Sequence, residues 1–80
     1  MQSLEQTVSS VVSDVLREKS GASTMLRGEL RLVGDLGLDS MDLAVIVATL
    51  EQKTGNDPFA ERVTIASVRT LDDLVRAYAT

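Results

Sequence analysis

The chain has 80 residues, 44% of them hydrophobic, and we expect residues 1–80 to fold as a single small domain. It contains neither cysteine nor histidine, which excludes disulfides, thiolate metal sites and the commonest general base. The net charge of −4 disfavours nucleic acid and anionic membranes as partners.

The excess negative charge lies in the central third of the chain. Between Asp35 and Glu61 there are six acidic residues and one basic residue, whereas the remainder has six acidic and seven basic residues. Such a segment is either a solvated face or a surface that steers a basic partner, and charge alone favours the solvated face. The N-terminal residues lack the basic stretch and apolar core of a signal peptide, and no apolar run approaches the roughly 18–20 residues that cross a bilayer. We therefore expect a cytoplasmic protein.

Helical spacing predicts a first helix over residues 3–19. Ser3 and Gln6 have the spacing of a capping box, in which two side chains satisfy backbone amides at a helix N-terminus. Ser20-Gly21 predicts the C-terminal end. The apolar residues that follow the period of one helical stripe are Leu4, Val8, Val11, Val12 and Val15.

Residues 21–38 show no sustained period and contain four of the five glycines, which predicts a long loop. A loop of this length in a small domain is usually functional when it is ordered. Isolated leucines along it predict that the loop lies over the core, with one short turn near residues 24–29.

Asp39 predicts the start of the second helix because aspartate is a favoured N-cap, and Asp42 lies in the first turn, where negative charge is favourable. This helix is predicted to end at Lys53 or Thr54. Residues 59–69 leave two structures open: a helical turn near 59–62, or extended backbone at 63–65.

Thr70 and Asp73 predict a second capping box and a last helix over residues 71–79. Leu71, Leu74, Val75 and Tyr78 supply its apolar stripe. The sequence thus predicts an all-α fold, a small bundle of three to four helices with a long loop between helices one and two.

The second helix has two apolar faces. Larger residues occupy one face and predict the side that packs on the core: Leu43, Ile46, Val47 and Leu50. The opposite face carries Met41, Ala44, Val45 and Ala48. Either this helix is buried on both sides, or the second face is an exposed docking patch with Asp39, Asp42 and Glu51 at its rim.

Ser40 lies at the junction between the long loop and the second helix. An isolated Asp-Ser pair would be ordinary helix capping. Here it stands within Gly34-Asp35-Leu36-Gly37-Leu38-Asp39-Ser40-Met41-Asp42-Leu43, which resembles the modification motif of acyl carrier proteins and peptidyl carrier proteins. The resemblance extends over essentially the whole chain, since the order of helices, the length and the acidity also fit.

The resemblance implies a covalent 4′-phosphopantetheine group on Ser40, preceded by Asp39 and transferred from coenzyme A by a separate phosphopantetheinyl transferase with magnesium. The acyl group would be a thioester on the prosthetic thiol, and the carrier itself would not be an enzyme. One departure concerns residues 43–48, which carry no charge where many fatty-acid carriers are strongly acidic. Docking is therefore expected to depend more on apolar contact, through Met41, Val45 and Ala48, with Asp39, Asp42 and Glu51 as the rim that steers the partner.

This departure favours a carrier of polyketide, specialised lipid or nonribosomal peptide biosynthesis over the general fatty-acid carrier. Acyl cargo is preferred, with an aminoacyl (peptidyl) carrier as the alternative. Expected partners are the transferase, a loading ligase or transferase and downstream synthase enzymes, acting on a monomer. Two other classes remain: a helical interaction module without a prosthetic group, and, much less favoured, a hydrolase using Asp35 and Asp39.

Overall fold

Four α-helices and one short 3₁₀ helix follow one another in the computed structural model, which describes residues 3–21, 25–61 and 64–79. The elements are α1 (Leu4–Ser20), α2 (Ser40–Thr54), α3 (Pro58–Glu61), the 3₁₀ helix (Ile65–Ser67) and α4 (Leu71–Tyr78). This confirms the predicted all-α bundle with a long loop between its first two helices. In the described ranges, no helix combines the length and hydrophobicity that crossing a membrane requires.

The ends of α1 agree with the prediction to within a residue. The Ser3 hydroxyl accepts a hydrogen bond from the Gln6 amide at 3.2 Å, and the Gln6 side chain accepts one from the Ser3 amide at 3.0 Å. At the other end Gly21 adopts a left-handed conformation with φ 74°, and its amide donates to the Arg17 carbonyl. The predicted capping box is therefore confirmed.

The core forms where α1 packs against α2 and α4. Along α1 the predicted stripe is largely confirmed, because Val8, Val11 and Val12 are buried, while Val15 is only half-buried. Leu16, which the predicted stripe omits, is buried instead. The buried hydrophobic residues of the other segments are Leu32, Leu38, Ile46, Leu50, Leu71, Leu74, Ala77 and Tyr78.

The long loop lies over the core, as its leucines predicted. Leu32 and Leu38 are almost fully buried, whereas Met25 and Val33 are exposed. A turn closes with the hydrogen bond from the Leu30 amide to the Arg27 carbonyl; the predicted turn near 24–29 includes residue 24, which lies outside the described residues.

Backbone hydrogen bonds attach this loop to the start of α4. The Leu32 amide donates to the Arg69 carbonyl at 2.8 Å, and the Leu71 amide donates to the Leu30 carbonyl at 3.0 Å. The Asp72 amide donates to the Gly28 carbonyl at 2.9 Å. A Cβ at Gly28 would overlap the Asp72 carboxyl, so glycine permits this close approach.

The segment that the sequence left open is mainly helical. A single turn, α3, matches the turn predicted near 59–62, and Ile65 begins the 3₁₀ helix instead of continuing a strand. Thr64 is extended, and Val63 lies outside the described residues. Phe59 of α3 contacts Tyr78 of α4 edge to face, with ring centroids 5.9 Å apart.

Asp73 completes the predicted capping box of α4 and makes the stability of the protein depend on pH. The Arg69 amide, then the Arg76 guanidinium and the Thr70 amide, stabilise the carboxylate and lower the pKa of Asp73 to about 2. The stabilisation is fully present above the unfolded pKa of about 3.9 and is lost as the pH falls from there through about 2.

We expect Asp73→Asn to lower the unfolding free energy at neutral pH by up to about 1 kcal/mol, because it removes the ion pair with Arg76 and the favourable negative charge in the first turn of α4. This difference from the wild type should shrink as the pH approaches 2. Asp72→Asn is the control, since it removes a charge from the same turn but not the ion pair with Arg76. Thermal unfolding at both pH values measures this, and an equal Asp73→Asn deficit at both would contradict it.

Candidate functional site

Ser40 is the first residue of α2, and the residues before it hold the junction in place. Gly37 has φ 70°, a left-handed conformation that favours glycine, and it lets the chain turn towards the helix. Leu38 then inserts into the core. Asp39 accepts a hydrogen bond from the Asp42 amide at 2.9 Å, and the Asp42 carboxylate accepts one from the Asp39 amide at 3.0 Å. Helix capping is thus performed by the two aspartates.

The Ser40 side chain is exposed, as predicted. The Ser40 hydroxyl forms no hydrogen bond with any residue in the part of the chain that the structure describes. The hydroxyl is therefore accessible to another molecule without the loss of a capping contact.

An apolar cavity of about 340 Å³ opens beside Ser40. Ser40 is the only polar side chain among the described residues that line it, and the others are Leu43, Ala44, Val47, Phe59 and Ile65. Leu43 and Ile65 also border a neighbouring groove of about 400 Å³. The space next to the serine therefore suits an apolar chain better than a polar substrate.

The face of α2 opposite the core is exposed. Met41 and Val45 are 77% and 54% exposed, and Ala44 and Ala48 are exposed too. On the other side Ile46 and Leu50 are fully buried, while Leu43 and Val47 are half-buried. Of the two structures that the sequence left open, the exposed second face is confirmed; its use in docking stays a prediction.

Of the three acidic residues expected at the rim, Asp39 and Asp42 are paired with a lysine. The Lys19 ammonium lies 2.6 Å from an Asp42 oxygen and 3.6 Å from an Asp39 oxygen. The hydrogen bond from Lys19 is the first cause that lowers the pKa of Asp42, followed by the Asp39 amide. Glu51 is exposed but lies eleven residues beyond Ser40, about 16 Å along the helix axis.

Sequence reasoning missed this role of Lys19. Its place in the last turn of α1 indicated only a favourable interaction with the helix dipole. The available signal was the concentration of acidic residues around Ser40, which a nearby cation would compensate, but the sequence alone did not show which cation comes close.

A small helical bundle with an exposed serine at the start of an aspartate-capped helix defines a carrier-type fold, and a solved structure supports this class. The chain is similar to MacpD, an acyl carrier protein from Pseudomonas fluorescens involved in mupirocin biosynthesis, whose solution structure gives a TM-score of 0.80. The two are 41% identical over 95% of this chain and 68% of the MacpD chain. The chain therefore belongs to the acyl carrier protein family.

No protein-family model matches the sequence, and none of the curated proteins matches it. The family membership that the Asp39-Ser40 motif predicted is confirmed by the likeness to MacpD. The assignment of Ser40 as the attachment residue remains a prediction, as do the docking residues on α2.

Proposed function

We propose that residues 1–80 form a single carrier domain that holds acyl groups as thioesters on a 4′-phosphopantetheine attached to Ser40. The observation that carries this proposal is the exposed Ser40 hydroxyl, placed directly after the Asp39 cap in a member of the acyl carrier protein family. In this proposal Asp39 orients the serine through helix capping, and Ser40 is the acceptor.

The surroundings of Ser40 fit such a group. The N-terminus of α2 favours negative charge, so a phosphodiester on the first helical residue is compatible with the helix dipole. The apolar cavity beside the serine offers space to an acyl chain. When bound, the group supplies a thiol, which this cysteine-free chain otherwise lacks.

Among the described residues, none next to Ser40 is a strong base. The neighbouring carboxylates, Asp39 and Asp42, are engaged by backbone amides and by Lys19. The hydroxyl therefore depends on a partner enzyme for activation, and the proposed role is that of a carrier and not of a catalyst.

The proposed partners are a phosphopantetheinyl transferase, a loading ligase or transferase, and downstream synthase enzymes in the cytoplasm. MacpD is involved in mupirocin biosynthesis, and the uncharged stretch at residues 43–48 supports a specialised pathway such as polyketide biosynthesis over general fatty-acid synthesis. An aminoacyl carrier is the alternative within the family. Mass spectrometry of the protein from its host, with the thioester intact, would identify the cargo.

The proposal is tested by intact-mass measurement. After incubation with coenzyme A, magnesium and a broad-specificity phosphopantetheinyl transferase, the chain should gain the mass of one phosphopantetheine. A chain that gains no mass under conditions where a known carrier is fully modified would leave only the alternatives without a prosthetic group, the interaction module and the much less favoured hydrolase.

The exposed face of α2 gives a second expectation. Val45→Glu should change the unfolding free energy by only about 0.5 kcal/mol, since Val45 is exposed. Acyl transfer onto the phosphopantetheine by the loading or elongating enzyme should nevertheless slow at least about tenfold, because a charge in an apolar contact readily costs about 1.4 kcal/mol of affinity.

Gln52→Glu is the matched control, because it adds the same charge to an exposed position on the same helix outside the patch. The effect is measured by the initial rate of acyl transfer onto each variant and by its thermal unfolding. If Val45→Glu unfolds, the second face of α2 is buried. If acyl transfer onto Val45→Glu proceeds at the wild-type rate, this face is not used in docking.

A further inference from the structure

The corner of the molecule around Ser40 combines an apolar face with a partly neutralised acidic flank. Lys19 comes from the end of α1 and reaches both aspartates of the α2 capping box, Asp39 and Asp42. The same three side chains line a depression together with Val15, Glu18 and Val45. The ion pair thus borders the exposed apolar face directly.

This contact changes how the negative charge of the central segment is presented. In the sequence Asp39 and Asp42 appear as two free charges next to the serine. Among the described residues the Lys19 ammonium lies within 4 Å of both carboxylates and cancels one of their two negative charges, while Glu18 adds a negative charge to the same depression. A basic partner is therefore attracted less strongly than the sequence alone would indicate.

The other lysine of the chain has no such position. Lys53 lies in the last turn of α2, thirteen residues from Ser40 and therefore about 20 Å along the helix axis. Within the described residues it forms no ion pair. At about 0.1 M salt the Debye length is about 10 Å, so the charge of Lys53 is screened at Ser40. Lys19 instead lies within 4 Å of Asp39 and Asp42.

We infer that Lys19 shifts partner recognition at this surface: by pairing with Asp39 and Asp42 it weakens the attraction of a basic docking face and favours a partner whose docking face is apolar and weakly charged. The inference rests on the proposed function at Ser40 and specifies the chemistry of the partner. Lys19 acts on recognition through the aspartates and is not the residue that is modified.

The test compares Lys19→Met with Lys53→Met, which remove the same charge at two distances from Ser40. Lys19→Met keeps an alkyl side chain of similar length, and Lys19→Arg restores the positive charge. The probe is a broad-specificity phosphopantetheinyl transferase with a basic docking face. For each chain we measure kcat/KM for the attachment of phosphopantetheine at NaCl concentrations from about 0.1 M to about 1 M. Over this range the Debye length falls from about 10 Å to about 3 Å.

Lys19→Met should raise kcat/KM at least about twofold at the lower salt concentration, and the excess should disappear at the higher one, as expected for electrostatic steering. Lys53→Met and Lys19→Arg should match the wild type, and all four chains should have similar melting temperatures. Loading of Lys19→Met and Lys53→Met with equal rates and equal salt dependence would overturn the inference alone. Failure of the wild type to gain mass would instead overturn the proposed function and the inference together.

Discussion

Replacing Ser40 with alanine should abolish the gain of mass from coenzyme A while the chain remains folded. The hydroxyl oxygen is the proposed point of attachment, and alanine has no atom that can replace it. Because Asp39 supplies the helix cap and Ser40 is exposed, the substitution removes no described structural contact. The change in unfolding free energy should be less than about 1 kcal/mol.

Ser10→Ala is the matched control, since Ser10 is an exposed serine on α1, away from the Asp-Ser motif. It should be loaded like the wild type. Peptide mapping of the loaded wild type should place the added mass on the peptide that contains Ser40. Modification that persists in Ser40→Ala would move the attachment site to another residue while leaving the carrier function intact.

The parts of the fold that depend on neighbouring residues could be predicted from the sequence. Both predicted capping boxes involve residues three positions apart, so the geometry that forms them is contained in one helical turn. The observed bonds at Ser3 and Thr70 follow that geometry. The Asp39-Ser40 junction was predictable for the same reason.

The parts that depend on how distant segments pack could not be predicted. The composition of the long loop does not distinguish the buried Leu32 and Leu38 from the exposed Val33. These positions follow from the hydrogen bonds that attach the loop to α4, about forty residues away in the chain. Lys19 reaches Asp42 across 23 residues, so their contact depends on the angle at which α1 and α2 meet.

The second helix shows where a periodic pattern stops being decisive. Both of its faces are apolar, and the pattern alone cannot show whether a neighbour covers the second face. The structure answers this directly, because Met41 and Val45 on the second face are exposed. The weak amphipathicity of α2 therefore reflects an exposed apolar surface, a feature that often marks a site of interaction.

Replacing Leu50 or Leu74 with alanine should have the largest effect on stability. Both side chains are almost completely buried, at 0% and 1% exposure, and both belong to the central hydrophobic cluster. Removal of a buried leucine side chain typically costs about 2–5 kcal/mol through lost burial and the remaining cavity. Typical domains have an unfolding free energy of about 5–15 kcal/mol, so either variant should be close to unfolding.

Val45→Ala is the control for Leu50→Ala, because it shortens an apolar side chain on the exposed face of the same helix. It should change stability by no more than about 0.5 kcal/mol. Denaturant unfolding measures the midpoints, and a wild-type midpoint for Leu50→Ala would show that the assigned core face of α2 is wrong.

The core variants also distinguish loss of the attachment residue from loss of the fold that holds this residue at the surface. Leu50→Ala retains Ser40, so its loading should fall only in proportion to the fraction of unfolded chains. Conditions that restore folding, such as an added osmolyte, should therefore restore its loading. Ser40→Ala should stay unmodified under the same conditions because it lacks the acceptor oxygen. If osmolyte restored the fold of Leu50→Ala but not its loading, packing beneath α2 would have a role in recognition beyond holding Ser40 at the start of a stable helix.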